Sequence, residues 1–260
     1  MSDHLGRFVW FDLSTTDATA AEEFYKAVVG WDTAPWEEGE MPYTMWMAGK
    51  TAVGGVGNLT EEAKSQGTPP HWSASILTAD VDATTTKAVE LGGTELLPPT
   101  DIPGAGRFSV IRDPQGAVFS PYSTAGEIET SGIPNVGEFS WCELMTTDYE
   151  AAFSFYSELF SWQKGETMDM GEGWMYQIFA PIDMPNGGIY NKPEQVPVPM
   201  WLYYARVEDI HAAVETVKEL GGQVMTEPRE VPGGDLVAIC FDPQGAMFAL
   251  HCMAPENAQE

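Results

Sequence analysis

The amino-acid sequence predicts an α+β fold built by tandem duplication. The phrase WFDLSTTD at residues 10–17 returns as WCELMTTD at residues 141–148. A second segment, residues 71–93, matches residues 200–222, and both halves then contain β-rich runs around Asp-Pro-Gln-Gly. Self-similarity on this scale is the signature of a duplicated structural unit. We therefore expect the two halves of the chain to fold alike.

Composition limits the classes of protein to which the chain can belong. Its 260 residues, 43% of them hydrophobic, are enough for two domains with buried cores. The 39 acidic and 12 basic residues give a formal net charge of -27, which repels nucleic-acid phosphates and anionic membrane surfaces. The sequence therefore predicts no nucleic-acid partner and no membrane association.

The cysteines and the N-terminal residues favour a cytoplasmic location. Cys142, Cys240 and Cys252 are odd in number and include no CxxC pair, which argues against a disulfide framework. The first ten residues have no basic stretch followed by an apolar run of signal-peptide length. We expect a soluble, cytoplasmic protein.

Each half begins with a strand that leads into an amphipathic helix. Residues 21–28 place Ala, Phe, Tyr and Val at the i, i+3, i+4, i+7 spacing of an apolar helical stripe. Asp17, just before this stripe, is a candidate N-cap. Residues 152–159 repeat the same Ala, Phe and Tyr, so the same strand and helix are expected in the second half.

A second strand and helix follow in each half. In the later copy the Gly221-Gly222 pair ends the helix. The β-rich runs then flank residues 113–116 and 242–245, where Asp, Pro and Gly stand at positions that a type I turn favours. Each half therefore closes with a hairpin. The apolar side of the later helix is marked by Ile210, Ala213, Val214, Val217 and Leu220.

These elements give four modules, two in each half, and each module consists of a strand, a helix and further strands. We predict one domain at residues 1–125 and another at residues 138–260, joined by a linker at residues 126–137. The sheets should be mixed and curved and should enclose cavities, with the helices packed on the outside.

The order of these motifs resembles the vicinal oxygen chelate superfamily, which includes glyoxalase I, bleomycin-resistance proteins and extradiol dioxygenases. The Asp-capped helix with Phe-Tyr, the later helix that ends in Leu-Gly-Gly and the Asp-Pro-Gln-Gly hairpin carry the resemblance over nearly the whole chain. The chain looks most like the duplicated glyoxalase-like proteins of bacteria. The resemblance implies βαβββ modules that pair around a cavity, commonly with one divalent metal ion.

The resemblance also implies where metal ligands would lie. Family enzymes carry His, Glu or Gln seven residues before the helix-capping Asp and seven residues after the Asp of the final turn. The strands at residues 53–55 and 186–188 offer no carboxylate or imidazole for the remaining position. The positions counted from the helix-capping Asp and from the Asp of the final turn hold Trp10, Ser73, Ser120, Trp141, Leu202 and Ala249. None of the residues at the family's metal positions is a good metal ligand, so we expect no cofactor, with a divalent metal as an alternative.

Strand alternation predicts which other side chains would face the cavity, because residues two positions apart lie on the same face. Asp12, Glu143 and His251 are candidate catalytic residues in that layer, with His251 as a base and Glu143 as its orienting partner. Glu143 and His251 would also be the ligands of a metal ion, if the protein binds one. The alternative is that the acids are satisfied by neighbouring hydroxyl or backbone groups and that His251 is a hydrogen-bonded core residue.

A second set of residues is predicted to contact a ligand. The alternative for the aromatic members of this set is simple core packing, since large aromatic residues on strands are usually buried. The predicted ligand-binding residues are Trp10, Ser75, Tyr122, Trp141 and Tyr204.

We expect the protein to bind a small, partly apolar metabolite or drug-like compound in a cavity, without the family metal. One alternative is a metal-dependent lyase, isomerase or dioxygenase that uses Glu143 and His251. Another is a non-catalytic platform for protein association. The sequence leaves open whether the protein is an enzyme, which ligand it binds and whether it forms a homodimer.

Overall fold

The computed structural model describes residues 4–37, 42–126, 132–171, 173–182, 184–254 and 257. Within these residues, five helices and sixteen strands form two eight-stranded sheets. The strand orders are β2-β3-β4-β1-β5-β8-β7-β6 and β10-β11-β12-β9-β13-β16-β15-β14. Both sheets mix parallel and antiparallel pairs. The α+β class, the mixed sheets and the duplication are confirmed.

Each module is a βαβββ unit whose first strand pairs in parallel with its last strand. The first module contains β1 (Phe8–Thr15), α1 (Ala18–Val28), β2 (Asp32–Pro35), β3 (Thr44–Ala48) and β4 (Thr51–Asn58), and the short α2 (Glu61–Ser65) follows it. The second contains β5 (His71–Leu77), α3 (Val81–Glu90), β6 (Thr94–Ile102), β7 (Gly106–Arg112) and β8 (Val118–Thr124).

The second half repeats this arrangement. The third module contains β9 (Phe139–Thr146), α4 (Tyr149–Phe160), β10 (Gln163–Asp169), β11 (Met175–Ala180) and β12 (Gly187–Asn191). The fourth contains β13 (Met200–Arg206), α5 (Ile210–Glu219), β14 (Gln223–Glu230), β15 (Leu236–Phe241) and β16 (Met247–Cys252). That the sheets enclose cavities stays a prediction, as do the domain limits at 1–125 and 138–260. Residues 127–131 of the predicted linker lie outside the described residues.

An aspartate caps the long helix of every module. Asp17 has extended backbone angles and accepts a hydrogen bond from the backbone N–H of Ala20 at 3.0 Å, and Asp80, Asp148 and Asp209 cap the other three helices in the same way. Such a cap satisfies one of the N–H groups that a helix leaves without an internal partner. The predicted cap at Asp17 is confirmed.

The apolar stripe of α5 matches the prediction except at its last position. Ile210, Ala213, Val214 and Val217 are buried, but Leu220 is 45% exposed. Leu220 is the C-cap residue. Because it lies beyond the last residue of the helix, the helical spacing no longer determines which side it faces. None of the helices in the described parts of the chain has both the length and the apolar character needed to cross a bilayer.

The chain divides into two compact units, each of which joins modules from different halves. One unit contains Met1–Trp10, Ser73–Thr130 and Cys142–Leu202, and therefore most of the second and third modules. In this unit α3 contacts α4. The other contains Phe11–Trp72, Ser131–Trp141 and Tyr203–Glu260, and therefore most of the first and fourth modules, and here α1 contacts α5.

A buried hydrogen-bonded chain links the two modules of the second of these units. Tyr25 of α1 is fully buried, and its hydroxyl donates to Asp242 Oδ2 at 3.1 Å and accepts from Trp72 Nε1 at 2.9 Å. Asp242 Oδ1 accepts backbone N–H bonds from Gln244 and Ala246 inside the Asp-Pro-Gln-Gly turn. We call Trp72, Tyr25 and Asp242 the tyrosine relay of this unit.

The other unit contains an equivalent relay. Tyr156 of α4 donates to Asp113 Oδ2 at 3.0 Å and accepts from Trp201 Nε1 at 3.2 Å. Asp113 Oδ1 in turn accepts the backbone N–H groups of Gln115, Gly116 and Ala117. The repeated Phe-Tyr and Asp-Pro-Gln-Gly motifs therefore meet each other across modules, which explains why both motifs occur in both halves.

The glutamine of the Asp-Pro-Gln-Gly turn accounts for the repeated Thr-Thr-Asp motif in one unit. Gln115 Oε1 accepts from the hydroxyl of Thr146 at 2.9 Å and from the backbone N–H of Thr147 at 3.0 Å. Its Nε2 donates to the carbonyl oxygen of Asp148 at 2.8 Å. The turn of the second module thus holds the loop that leads into α4.

Burial shifts the acid–base properties of the relay. It raises the pKa of the Tyr25 hydroxyl well above its usual range, and the neighbouring Asp242 carboxylate raises it further. Burial also raises the pKa of Asp242, although the Ala246 N–H and the Tyr25 hydroxyl oppose this effect. The relay therefore favours a neutral tyrosine next to a carboxyl group that is costly to ionise.

Removing the Tyr25 hydroxyl should weaken the fold. In Tyr25→Phe the indole N–H of Trp72 and one oxygen of Asp242 lose a buried partner, so we expect the free energy of unfolding to fall by about 1–3 kcal/mol. Urea unfolding followed by circular dichroism measures this. Tyr149→Phe, at the half-buried first residue of α4, is the control, and an equal loss in both variants would contradict a structural role for the relay.

Ionisation of Asp242 should also affect stability. Because its native pKa is raised, its favourable contribution is complete below the pKa of an unfolded Asp, near 4, and is lost as the pH rises through the native pKa. Asp242→Asn cannot ionise. We expect the free energy of unfolding of the wild type, relative to this variant, to decrease as the pH is raised above about 4, as measured by urea unfolding in a pH series. A difference that stays constant with pH would contradict the shift.

Candidate functional site

The first strand of each half carries a tryptophan and an acid on its less buried face. In β1, Phe11 and Leu13 are buried, whereas Trp10 and Asp12 are only half-buried. The burial pattern of β9 is similar, since Cys142 and Leu144 are buried and Trp141 and Glu143 are half-buried. Side chains alternate along a strand, so the acid and the tryptophan of each phrase share the face opposite the buried residues.

A tyrosine binds the acid of β1. Asp12 lies opposite Gly55 in the parallel pair of β1 and β4, and the Tyr43 hydroxyl donates a short hydrogen bond to Asp12 Oδ1. A Cβ atom added at Gly55 would lie 2.2 Å from Tyr43 Cζ. Gly55 therefore leaves the space in which the Tyr43 ring reaches across β4 to the carboxylate.

The second half builds the same arrangement with one more tyrosine. Glu143 lies opposite Gly188 of β12, and the Tyr176 hydroxyl donates to Glu143 Oε1 at 2.7 Å. A Cβ atom at Gly188 would lie 2.0 Å from Tyr176 Cζ. Tyr190 donates to Glu143 Oε2 at 3.4 Å. We call Asp12 with Tyr43, and Glu143 with Tyr176 and Tyr190, the two acid–tyrosine pairs.

The glycines that precede Gly55 and Gly188 serve a different purpose. A Cβ atom at Gly54 would lie 1.9 Å from the carbonyl oxygen of Phe11, and one at Gly187 would lie 1.9 Å from that of Cys142. Only glycine allows the strands to approach so closely. The strand pairing therefore requires the first glycine of each Gly-Gly dipeptide, and the acid–tyrosine pair requires the second.

The thiol next to Glu143 is chemically inert. Burial raises the pKa of Cys142 well above its usual range, and the charge of Glu143 raises it further. A thiol that stays protonated is a poor nucleophile and a poor metal ligand. The chemistry of this part of β9 therefore belongs to the carboxylate and its tyrosines.

His251 is held between a serine and an aspartate. Its Nδ1 lies 2.7 Å from Ser140 Oγ, and its Nε2 lies 3.0 Å from Asp235 Oδ2. Burial tends to raise the pKa of Asp235, but the backbone N–H of Ala254, the Asn257 amide and His251 outweigh it and leave the pKa below its usual value. Asp235 is thus the carboxylate that orients the imidazole. The pairing of His251 with Glu143 stays a prediction.

The predicted ligand-binding residues differ in exposure. Ser75 of β5 and Tyr204 of β13 are 7% and 2% exposed, whereas Trp10, Trp141 and Tyr122 are half-buried. The Tyr122 hydroxyl donates to the carbonyl oxygen of Ala105 at 2.9 Å. Trp10, Trp141 and Tyr122 are therefore the members of this set that keep part of their surface exposed.

Five residues that complete these clusters were not predicted from the sequence. Each lies outside the strand of its partner, so periodicity gives no sign of the contact. The Gly-Gly dipeptides were the one available signal, because a glycine inside a strand marks a close approach by another group. The missed residues are Tyr43, Tyr176, Tyr190, Ser140 and Asp235.

The residues at the family's metal positions do not fit a metal ion. Leu202 and Ala249 are fully buried apolar side chains, and Ser120 is a buried hydroxyl. Among the residues that the structure describes, no group of three or more His, Cys, Asp or Glu side chains is arranged to hold a metal. Divalent sites in proteins need about three such donors around an open position.

Comparison with known proteins settles the family. The model of the glyoxalase/bleomycin resistance protein/dioxygenase superfamily matches residues 5–120 and again residues 138–250. The chain belongs to this superfamily. The two matches correspond to the two halves of the duplication. The predicted resemblance is therefore confirmed over most of the chain.

Relatives in the superfamily span almost the same length. CFP32 of Mycobacterium tuberculosis, a candidate glyoxylase, is 33% identical over 250 residues, which are 95% of this chain and 95% of that protein. The anthracycline biosynthesis protein DauV of a Streptomyces species is 29% identical over 263 residues, covering 94% of this chain and 92% of its own.

Solved structures of superfamily members share the fold. The Mn(II)-bound glyoxalase of Novosphingobium aromaticivorans superposes with a TM-score of 0.67 at 14% identity, over 96% of this chain and 82% of that one. The 2,3-dioxygenase LapB of a Pseudomonas species gives a TM-score of 0.67 at 12% identity, over 97% and 95% of the two chains. Similarity at this level establishes the architecture alone.

A methyl group at Gly55 should disrupt the first acid–tyrosine pair. In Gly55→Ala the Tyr43 ring must leave its position, so we expect the free energy of unfolding to fall by about 1–3 kcal/mol. Gly57→Ala is the control on the same strand, because its Cβ would meet nothing nearer than 3.8 Å, and a change within about 0.5 kcal/mol is expected there. Similar losses in the two variants, measured by urea unfolding, would contradict the steric argument.

Proposed function

We propose that this member of the superfamily binds a small, flat, partly apolar organic molecule without the divalent metal of the family. The observation that carries the proposal is the pair of acid–tyrosine contacts. Each half places a carboxylate with a tyrosine hydroxyl on the strand face that also carries a half-buried tryptophan. The family's metal positions hold side chains without metal-ligand chemistry.

The chemistry of this face suits a planar ligand with polar edges. An indole ring such as that of Trp10 or Trp141 stacks on flat apolar surface. The carboxylate of Asp12 or Glu143 accepts a hydrogen bond from a ligand hydroxyl, and such charge-assisted bonds are stronger than neutral ones. A hydroxylated aromatic or quinone-like compound offers both features.

The names of two relatives support this class of ligand. DauV and the Streptomyces peucetius protein DnrV are anthracycline biosynthesis proteins, and each covers nearly the whole of this chain. Anthracyclines contain a flat, hydroxylated polycyclic quinone. A simple hydroxylated anthraquinone is therefore a suitable probe for the acid–tyrosine pairs of this chain.

Binding of 1,4-dihydroxyanthraquinone tests the proposal. We expect metal-free full-length protein to bind this probe in equilibrium dialysis, and we expect Glu143→Gln or Asp12→Asn to weaken binding about tenfold, the effect of losing roughly 1.4 kcal/mol. Glu150→Gln changes an exposed acid in the first turn of α4 and should leave affinity unchanged. Absence of binding to the wild type, or equal binding to all variants, would overturn the proposal.

The metal part of the proposal has its own test. Elemental analysis of tag-free protein, purified without added metal, should give far less than one Mn, Fe, Co, Ni or Zn per chain, also after incubation with each ion and desalting. A stoichiometric metal that is lost in Glu143→Ala would instead support a metal-dependent lyase, isomerase or dioxygenase.

A further inference from the structure

Three polar side chains form a cluster that the acid–tyrosine pairs do not use. Ser140 lies near the start of β9, His251 lies near the end of β16, and Asp235 immediately precedes β15. The imidazole of His251 lies between the other two, with its Nδ1 2.7 Å from Ser140 Oγ and its Nε2 3.0 Å from Asp235 Oδ2. All three belong to the same compact unit.

The hydrogen-bond partners set the direction of proton transfer. Asp235 is an acceptor, so Nε2 of His251 donates to it, and in the neutral ring the lone pair of Nδ1 faces the Ser140 hydroxyl. A hydroxyl next to a base that is oriented by a third group is the arrangement of an activated nucleophile. The backbone N–H of Ala254 and the amide of Asn257 each hold Asp235 Oδ1 at 2.8 Å, so the carboxylate is fixed in place.

A proton taken up by His251 would not disrupt the cluster. The carbonyl oxygen of Tyr204 lies 3.3 Å from Ser140 Oγ, and it is a second acceptor for the hydroxyl when Nδ1 carries a proton. The Ser140 hydroxyl therefore has an acceptor when Nδ1 is unprotonated and another when Nδ1 carries a proton.

The cluster is present in only one copy of the duplicated structure. The corresponding residues of the first half are Tyr122 and Gly106, as the registers of the two hairpins show, and Val9, which precedes the repeated phrase as Ser140 does. There the Tyr122 hydroxyl donates to a backbone carbonyl, and its ring lies 3.0 Å from the position of a Cβ at Gly106. The fold is therefore built with or without the cluster. Packing of the module alone does not require a serine, a histidine and an aspartate at these three positions.

A small reagent can reach the cluster. The side chains of His251 and Asp235 are 13% and 22% exposed, and Ser140 is half-buried. The cluster is therefore neither sealed in the core nor fully solvated.

We propose that Ser140, His251 and Asp235 form a nucleophilic site that hydrolyses small carboxylic esters. The Ser140 proton moves to His251 Nδ1 while Oγ bonds to the acyl carbon. The bond from that carbon to the ester oxygen then breaks, and the alcohol leaves with the proton from His251. Water hydrolyses the acyl-serine in the same way and restores the hydroxyl. The site is independent of the acid–tyrosine pairs, so either proposal stands without the other.

A covalent probe tests the nucleophile directly. Full-length protein is incubated with an alkyl fluorophosphonate, and the modified residue is identified by mass spectrometry. We expect up to one label per chain, at Ser140, and no label in Ser140→Ala. Ser123→Ala removes a half-buried serine of β8 and should label as the wild type does. No label on folded wild type, or a label at another residue, would overturn the proposal.

The rate of labelling distinguishes a Ser140 hydroxyl that His251 activates from one that is merely exposed. We expect His251→Gln to slow labelling at Ser140 at least a hundredfold, the usual scale for loss of a general base, and Asp235→Asn to slow it at least tenfold. p-Nitrophenyl acetate hydrolysis should fall in parallel. Unchanged rates in both variants would show that the contacts are structural and would overturn the proposal.

A variant that carries the first-half side chains at the three positions tests whether loss of activity is simply loss of folding. Ser140→Val, Asp235→Gly and His251→Tyr together reproduce the side chains of the corresponding first-half positions. We expect this triple variant to keep the circular dichroism spectrum of the wild type and to lack both labelling and esterase activity. Esterase activity that survives in it would overturn the proposal.

Discussion

The hydrogen bond between a buried tyrosine and the aspartate of a tight turn is the contact on which each compact unit depends. Tyr25 and Tyr156 come from the helices of the first and third modules, and Asp242 and Asp113 come from the turns of the fourth and second modules. Each aspartate uses one oxygen for the backbone of its own turn and the other for the tyrosine. The relay therefore fixes the turn and the partner helix at once. Loss of either group leaves a buried polar atom without its partner, which costs more than the bond itself contributes.

The acid–tyrosine pairs depend on the backbone next to them. The first Gly of each Gly-Gly dipeptide brings β4 or β12 close to its neighbour, and the second leaves room for a tyrosine ring. That ring covers a site without a side chain, an arrangement in which an aromatic residue stabilises a glycine in a sheet. Its hydroxyl then reaches the acid on the adjacent strand. The two glycines thus allow the sheet to place a tyrosine hydroxyl against an acid.

Duplication let the two halves keep one framework and diverge in chemistry. The aspartate caps and the acid–tyrosine pairs occur in both halves, and the relay occurs once in each compact unit. The cluster of Ser140, His251 and Asp235 occurs in the second half alone, since the first half has Val9, Tyr122 and Gly106 there. The residues of the relay are tied to partners in another module, so a change in one of them leaves a buried partner unsatisfied. Residues outside those contacts are free to acquire a different function.

The sequence by itself determined the duplication, the order of strands and helices in each half and the cap at Asp17, because these follow from the repeated segments, local periodicity, capping and turn chemistry. The superfamily and its βαβββ module were predicted from the resemblance of the ordered motifs. Trp10, Asp12, Trp141 and Glu143 could also be assigned to one strand face from alternation alone. Tertiary structure decided which modules form each compact unit, which tyrosine meets which acid, and that His251 lies between Ser140 and Asp235. Those contacts join residues far apart in the chain, up to 217 positions for Tyr25 and Asp242. A contact over such a distance leaves no periodic trace in the sequence, since it is fixed by how the folded modules pack.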